Sequence, residues 1–187
     1  MTDLILVGIQ GSGKGTHGKI LAEKFGYKIF ETGGELRAIA KEDSDLGRKV
    51  KEITERGDLV PNEIVMEIVE HFFSQISPEI AVIFDGIPRS EEQRISLEKL
   101  LVQHNREFKA LEVCLSDEEA VARLLKRAEL EGRADDNLET IQKRISNFYN
   151  FTQPLLNEWK RLGKLVSIDG GLPIEEAQKD IIKKLGL

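Results

Sequence analysis

The chain has 187 residues, 40% hydrophobic and 32% charged, with a net charge of −6. That is enough for one well-buried domain of ordinary globular composition, and the acidic balance argues against a general nucleic-acid binder. The one cysteine, Cys114, excludes an internal disulfide and reads as a small core residue, and His17, His71 and His104 show no zinc-ligand spacing. The N-terminal segment has no basic region, and no stretch approaches a membrane span, so a cytoplasmic protein is expected.

The unbroken apolar run Leu4–Val7 predicts a strand buried on both faces. Gly8-Ile9-Gln10-Gly11-Ser12-Gly13-Lys14-Gly15-Thr16 follows, then a helix over Lys14–Phe25 that closes at Gly26. Strand, glycine-rich turn and helix are the context that lifts such a match above an ordinary turn. The glycines let several backbone N–H groups converge, the helix N-terminus adds its positive dipole end, and Lys14 supplies a mobile charge. The product is a phosphate cradle formed by Gly11, Ser12, Gly13, Lys14, Gly15 and Thr16. The general pattern has its hydroxyl directly after the lysine; here Gly15 intervenes and the hydroxyl is Thr16.

A short strand over Lys28–Phe30 leads into a helical insertion spanning 31–73. Thr32-Gly33-Gly34-Glu35 has the form of a capping box and starts a helix to about Lys41. Asp43-Ser44-Asp45 breaks it and caps a second helix ending at Gly57, and Pro61 opens a third reaching Gln75. Next, the strand Ile80–Phe84 ends in Asp85-Gly86-Ile87-Pro88-Arg89. A carboxylate at the tip of an apolar strand, in a chain with a phosphate loop, can reach magnesium through a water. Ser90-Glu91-Glu92-Gln93 is another capping box, for a helix to about Asn105.

After a strand at Leu111–Leu115, Ser116-Asp117-Glu118-Glu119 caps a helix carrying Arg123 and Arg127, four apart and on one side. A short polar segment over 127–138 forms the second insertion. Asp136 with Glu139 caps the following helix, which carries Arg144 and bends at Pro154. The strand Leu165–Ile168 and a helix over Pro173–Leu185 finish the chain. Strands alternating with helices predict one α/β domain, a three-layer sandwich with a mainly parallel five-stranded sheet.

In this order and spacing, Gly8–Thr16, Thr32–Arg37, Asp85–Gln93 and Arg123–Arg144 resemble the adenylate kinases, in the form with a short lid loop. Gly57-Asp58-Leu59-Val60-Pro61 is a weaker fifth block. The resemblance implies magnesium-dependent phosphoryl transfer from ATP to AMP giving ADP, by a monomer without zinc. It implies that Lys14 and the loop amides hold the ATP phosphates, that Arg123 lies against the ATP adenine, and that Asp85 sits in the magnesium shell. Arg127, Arg133 and Arg144 would close on the transferring phosphoryl group, while Arg37 and Arg89 clamp the AMP phosphate beside Gly86. Thr32, Gln93 and the backbone at Leu59 and Val60 would read the AMP base, and Asp135 and Asp136 would fasten the lid over 127–138.

Simpler explanations stand beside some of these roles. Thr32, Gln93, Asp135 and Asp136 can all be helix caps, and two arginines four apart are often a solvated face. Four residues depart from the family pattern: Gln10 for proline, Glu31 for serine, Gly34 for an aspartate that supports magnesium, and His17 for glutamine. Glu35 is the neighbouring acid that could replace the aspartate. A UMP or CMP kinase is the nearest alternative, but that family tends to carry alanine and asparagine at the positions of Thr32 and Gln93. A GTPase switch would need an Asn-Lys-x-Asp segment, which the chain lacks.

Overall fold

The computed structural model describes residues 2–132 and 136–187. Five strands, β1 Asp3–Val7, β2 Lys28–Glu31, β3 Val82–Asp85, β4 Phe108–Cys114 and β5 Leu165–Asp169, form one sheet in the order β2-β3-β1-β4-β5. Every pairing is parallel. Parallel neighbours need long crossovers, and helices supply them: α1 Lys14–Phe25, α2 Thr32–Ile39, α3 Asp45–Glu55, α4 Asn62–Ser74, α5 Glu91–Gln103, α6 Asp117–Glu131, α7 Leu138–Asn147 and α8 Gln153–Arg161, with α9 Ile174–Leu185 following the last strand.

The apolar strands feed two cores because successive side chains point to opposite faces. Ile5, Val7, Phe30, Val82 and Phe84 pack beneath Val65, Val69 and Phe73 of α4, Leu97 of α5 and Trp159 of α8. Leu4, Leu6, Ile83, Leu111 and Val113 pack against Leu21 of α1 and Ile181 and Leu185 of α9. The last helix of the 31–73 insertion is thus anchored in the main core, with the Phe73 and Phe84 rings 5.8 Å apart.

Charge fastens the lower edge of the sheet. Arg106 donates from Nε to Asp3 Oδ2 at 2.6 Å and from Nη2 to Asp3 Oδ1 at 2.7 Å, and Val82 N–H donates to the same Oδ1 at 2.8 Å. Buried carboxylates need such full pairing. Arg106 also donates to the carbonyl oxygens of Pro78 and Ile80, which hold that stretch out of the ladder, so β3 starts at Val82 rather than Ile80. β4 begins at Phe108, where pairing with Asp3 starts, and Cys114 at its far end is exposed rather than a core residue.

Three local expectations are corrected. Glu31, not Thr32, is the N-cap of α2, without a side-chain cap bond, and Thr32 is the buried first residue of the helix. Asn137, not Asp136, caps α7, accepting from Thr140 N–H at 2.9 Å. The helix expected to run on and bend at Pro154 is instead interrupted just before it: Phe148–Thr152 form a π-helical turn, in which Gln153 N–H bonds to Phe148 O. Such a turn absorbs a register change, and proline fits at the first turn of the helix beyond. The caps at Ser44, Ser90 and Ser116 form as read, each hydroxyl accepting from the backbone N–H three residues on.

The chain leaves β1 between β3 and β4, and the two halves of the sheet run away from it on either side. This is the switch point of an open parallel sheet, where the carboxyl ends of the strands leave a crevice.

Candidate functional site

The loop after β1 closes tightly on its neighbours. A Cβ on Gly8 would collide with the carbonyl oxygen of Val113 on β4, and Gly13, the N-cap of α1, has φ 100°. Both positions need glycine, one for space and one for a left-handed backbone. Lys14 folds back into the loop, its Nζ donating to Gly8 O and Ile9 O at 2.8 Å each and to Ser12 Oγ at 3.4 Å. Burial lowers the Lys14 pKa to about 8, against the pull of Asp85 and with help from Arg89 and Arg127. Asp85 ends β3 beside this loop, and a Cβ on Gly15 would lie 3.4 Å from its Oδ2. Burial raises the Asp85 pKa, Lys14 opposes that, and Glu31 adds to it.

A cleft of about 1060 Å³ opens over the loop. The loop glycines, Lys14 and Thr16 line it, together with Arg37, Arg89, Arg123, Arg127 and Arg144. Each guanidinium is held by a definite contact. Arg123 donates from both Nη atoms to Gly170 O at 3.1 Å, and Arg89 donates from Nε to Gly86 O at 2.9 Å. Burial lowers the Arg89 pKa, and the charge of Arg144 adds to the effect. Arg127 donates to both oxygens of Asp136, at 2.7 and 3.0 Å, and Arg144 donates to Asp136 Oδ1 at 3.0 Å. Arg37 donates to Glu31 at 2.8 Å. Arg133 and Asp135, also expected in the site, lie outside the described residues.

A side pocket of about 50 Å³ adjoins the cleft, lined by Thr32, Leu59, Val60, Gly86 and Gln93 among others. These are the residues expected to read a base. The Thr32 hydroxyl is buried there without a hydrogen-bond partner. Gln93 Oε1 accepts from Arg89 N–H at 2.8 Å, while Gln93 N–H donates to Ser90 Oγ at 3.3 Å. The capping box is therefore real, but its return bond goes to Arg89 rather than to Ser90.

Some contacts had no signal in the sequence. Asp136, which its spacing suggested as a cap and the resemblance as a fastener of the lid, is a fully buried bridge between two arginines, a pairing neither reading named. Gly170 O, the partner of Arg123, is a backbone group that composition cannot flag. His17 points away from the cleft to α9, where Gln178 Nε2 lies 3.0 Å from its Nδ1, and burial together with Arg123 lowers its pKa. Glu35 is exposed, and a Cβ on Gly34 would lie 3.6 Å from Glu31 Oε2. Among the described residues no group of three or more His, Cys, Asp or Glu side chains forms a metal cluster, and no helix is long and apolar enough to cross a membrane.

Comparison with known proteins agrees with this geometry. The family model described as adenylate kinase matches residues 6–164. The adenylate kinase of Phocaeicola vulgatus is 36% identical over 183 residues, covering 97% of each chain. That of Thermus thermophilus is 39% identical over 174 residues, 92% of this chain and 91% of its own. That of Bacteroides thetaiotaomicron is 36% identical over 171 residues, 91% of this chain and 90% of its own. With a phosphate loop, convergent arginines and a match of this extent in one chain, the protein belongs to the adenylate kinase family.

Proposed function

We propose that this protein catalyses the reversible transfer of a phosphoryl group from ATP to AMP, giving two ADP, with magnesium bound to the ATP. As a member of the adenylate kinase family it is a nucleoside monophosphate kinase, a phosphotransferase. The observation that carries the substrate pair is a cleft lined by both the phosphate loop and Arg37 and Arg89, with the recess of Thr32 and Gln93 opening beside Arg89.

Phosphoryl transfer between two anions needs positioning and positive charge more than acid–base chemistry. Lys14 and the loop amides hold the ATP phosphates. Arg123, tied to Gly170 O, stacks on the ATP base, while Arg127, Arg133 and Arg144 gather on the transferring group. Arg37 and Arg89 take the AMP phosphate, with forks suited to paired anionic oxygens. Asp85 and the Thr16 hydroxyl are hard oxygen donors beside the loop, a set that fits magnesium and offers nothing to a softer metal. When bound, the ion neutralises charge on the phosphates. The segments 31–73 and 127–138 close over the substrates and exclude water, which would otherwise take the phosphoryl group. The enzyme works as a cytoplasmic monomer with no structural zinc.

A UMP or CMP kinase would share this cleft. The relatives cited above are adenylate kinases, and the Thr32 hydroxyl and Gln93 amide in the side pocket favour adenine. The test is ADP formation from ATP and magnesium with AMP, UMP, CMP or GMP as acceptor. AMP should be strongly preferred. Folded protein that binds ATP but forms no ADP from AMP would overturn the proposal.

A further inference from the structure

Glu31 and Arg37 meet at the mouth of the cleft. Glu31 ends β2, Arg37 lies near the end of α2, and Arg37 Nη2 donates to Glu31 Oε1 at 2.8 Å. Their side chains are 49% and 45% exposed, and both line the cleft. The pair rests on bare backbone. A Cβ on Gly33 would come 3.0 Å from Arg37 Nη1 and 3.8 Å from Glu31 Oε1, and one on Gly34 would come 3.6 Å from Glu31 Oε2. With glycine at both positions, no side chain of residue 33 or 34 stands between the pair and the cleft.

The position is a costly one for an acid. Glu31 pairs across the sheet with Asp85, and the two carboxylates repel, since Glu31 is among the causes that raise the Asp85 pKa. An exposed ion pair of this kind adds little to stability. What the carboxylate does have is the chemistry of a phosphate: an anionic oxygen, Oε1, accepting from the Arg37 guanidinium at Nη2.

We propose that Glu31 is a built-in competitor for Arg37. In the nucleotide-free protein its carboxylate holds Nη2 of the guanidinium that takes the phosphate of the monophosphate nucleotide, and so sets the affinity for that substrate. This rests on the reading of Arg37 as a phosphate clamp. The phosphate dianion carries more charge than the carboxylate and displaces it. The displaced Glu31 then faces two anions, Asp85 and the phosphate, and this opposition weakens binding and speeds release of the nucleotide.

The test compares wild type, Glu31→Gln, Arg37→Ala and the double variant, with AMP affinity measured by calorimetry at low and high salt. Both side chains are half exposed, so all variants should fold, which melting curves check. Glu31→Gln should tighten AMP about three- to fivefold at low salt, the gain expected from freeing one exposed charge pair. The gain should shrink at high salt as screening weakens the competitor, and affinity for magnesium-bound ATP should not change. Arg37→Ala should weaken AMP by at least about tenfold through loss of a charge-assisted fork. In the Arg37→Ala background, Glu31→Gln should have almost no effect. Weaker AMP binding by Glu31→Gln would make Glu31 a support that aims Arg37, and unchanged binding would make the pair inert; either overturns the proposal. An equal gain with and without Arg37 would assign the effect to long-range charge and overturn it too. Those three results leave the Arg37 clamp standing, whereas normal AMP affinity in Arg37→Ala removes the clamp and the proposal with it.

Discussion

Two of the cleft's arginines hang on one buried carboxylate, and replacing Asp136 by asparagine measures what that arrangement contributes. The Asp136 side chain is 0% exposed, Arg144 is 12% exposed and Arg127 31%. Asparagine keeps the shape but removes the charge and turns one acceptor oxygen into a donor that faces a guanidinium. Breaking a buried ion pair costs about 3–5 kcal/mol. The partial exposure of Arg127 lets water replace some of the lost interaction, so about 3 kcal/mol is the expected loss. For a chain of this size each kcal/mol lowers the melting temperature by roughly 2–4 °C, giving a fall of roughly 6–12 °C. The effect on turnover is separate. Arg127 and Arg144 lose their common anchor, and a catalytic charge misplaced by about 1 Å can cost about a hundredfold. Turnover should therefore fall about ten- to a hundredfold at temperatures where both proteins are fully folded. The assays are thermal denaturation without nucleotide, because bound ligand would mask the loss, and steady-state kinetics well below both transitions. A drop in melting temperature under about 3 °C together with turnover within about twofold of wild type would show that the buried bridge does not organise these arginines.

Lys14 gives two further expectations. Lys14→Met should lower turnover by at least about a hundredfold, because it removes a charge worth most in the transition state; fold, read by circular dichroism, should survive, and near-normal activity would refute the loop assignment. The pH profile follows from the lysine's pKa, depressed by burial to about 8. Below that value the ammonium is present and above it the amine is neutral, so kcat/KM for ATP, which reports the free enzyme, should fall as pH rises through about 8. The profile of kcat should hold to higher pH, since bound phosphates favour the charged form. Coincident profiles would count against Lys14 as the group that titrates.

The fold was legible because its strands are buried on both faces. Runs such as Leu4–Val7 are apolar at every position, since alternate residues supply two cores. The phosphate loop was legible because glycine spacing reports backbone geometry directly. Strand ends were harder to place. Ile80 looks like strand, yet Arg106 captures its carbonyl from a distant turn, and nothing local announces that. The caps show the same division. Ser44, Ser90 and Ser116 cap as read, whereas Thr32 and Asp136 have cap-like spacing but do not cap. Thr32 is buried against the side pocket, and Asp136 is claimed by two arginines from separate helices. A short polar side chain near a helix start satisfies local and distant partners equally well, so spacing alone cannot decide between them. The Glu31–Arg37 pair was hidden for a different reason. Six residues apart, with the bend from strand to helix between them, they meet only because of that bend.

Base selection is where the structure revises the chemistry most sharply. From sequence, the Gln93 amide can offer adenine a donor and an acceptor together. In the folded chain one lone pair of its oxygen is taken by Arg89 N–H, while the amide nitrogen is the donor for a ring nitrogen of the base. That oxygen keeps one lone pair, and a second acceptor for the adenine amino group lies close by: the Thr32 hydroxyl is buried in the same pocket with no partner of its own. An unpartnered buried hydroxyl costs about 1–3 kcal/mol, so Thr32→Val should leave the nucleotide-free protein as stable as wild type or more so. The same change should weaken AMP, because an acceptor for the amino group is gone. A lost contact of about 1–2 kcal/mol raises the KM for AMP about five- to thirtyfold and narrows the preference for AMP over CMP. Gln93→Ala should differ in kind. It removes both the bond to Arg89 N–H and the donor to the base, so stability falls by about 1 kcal/mol while the KM for AMP rises. Melting temperatures and Michaelis constants for AMP, CMP and ATP, measured on both variants, separate the two residues. Thr32→Val that melts lower than wild type, with an unchanged AMP to CMP ratio, would return Thr32 to a purely structural role and leave base recognition to Gln93 and the backbone near Val60.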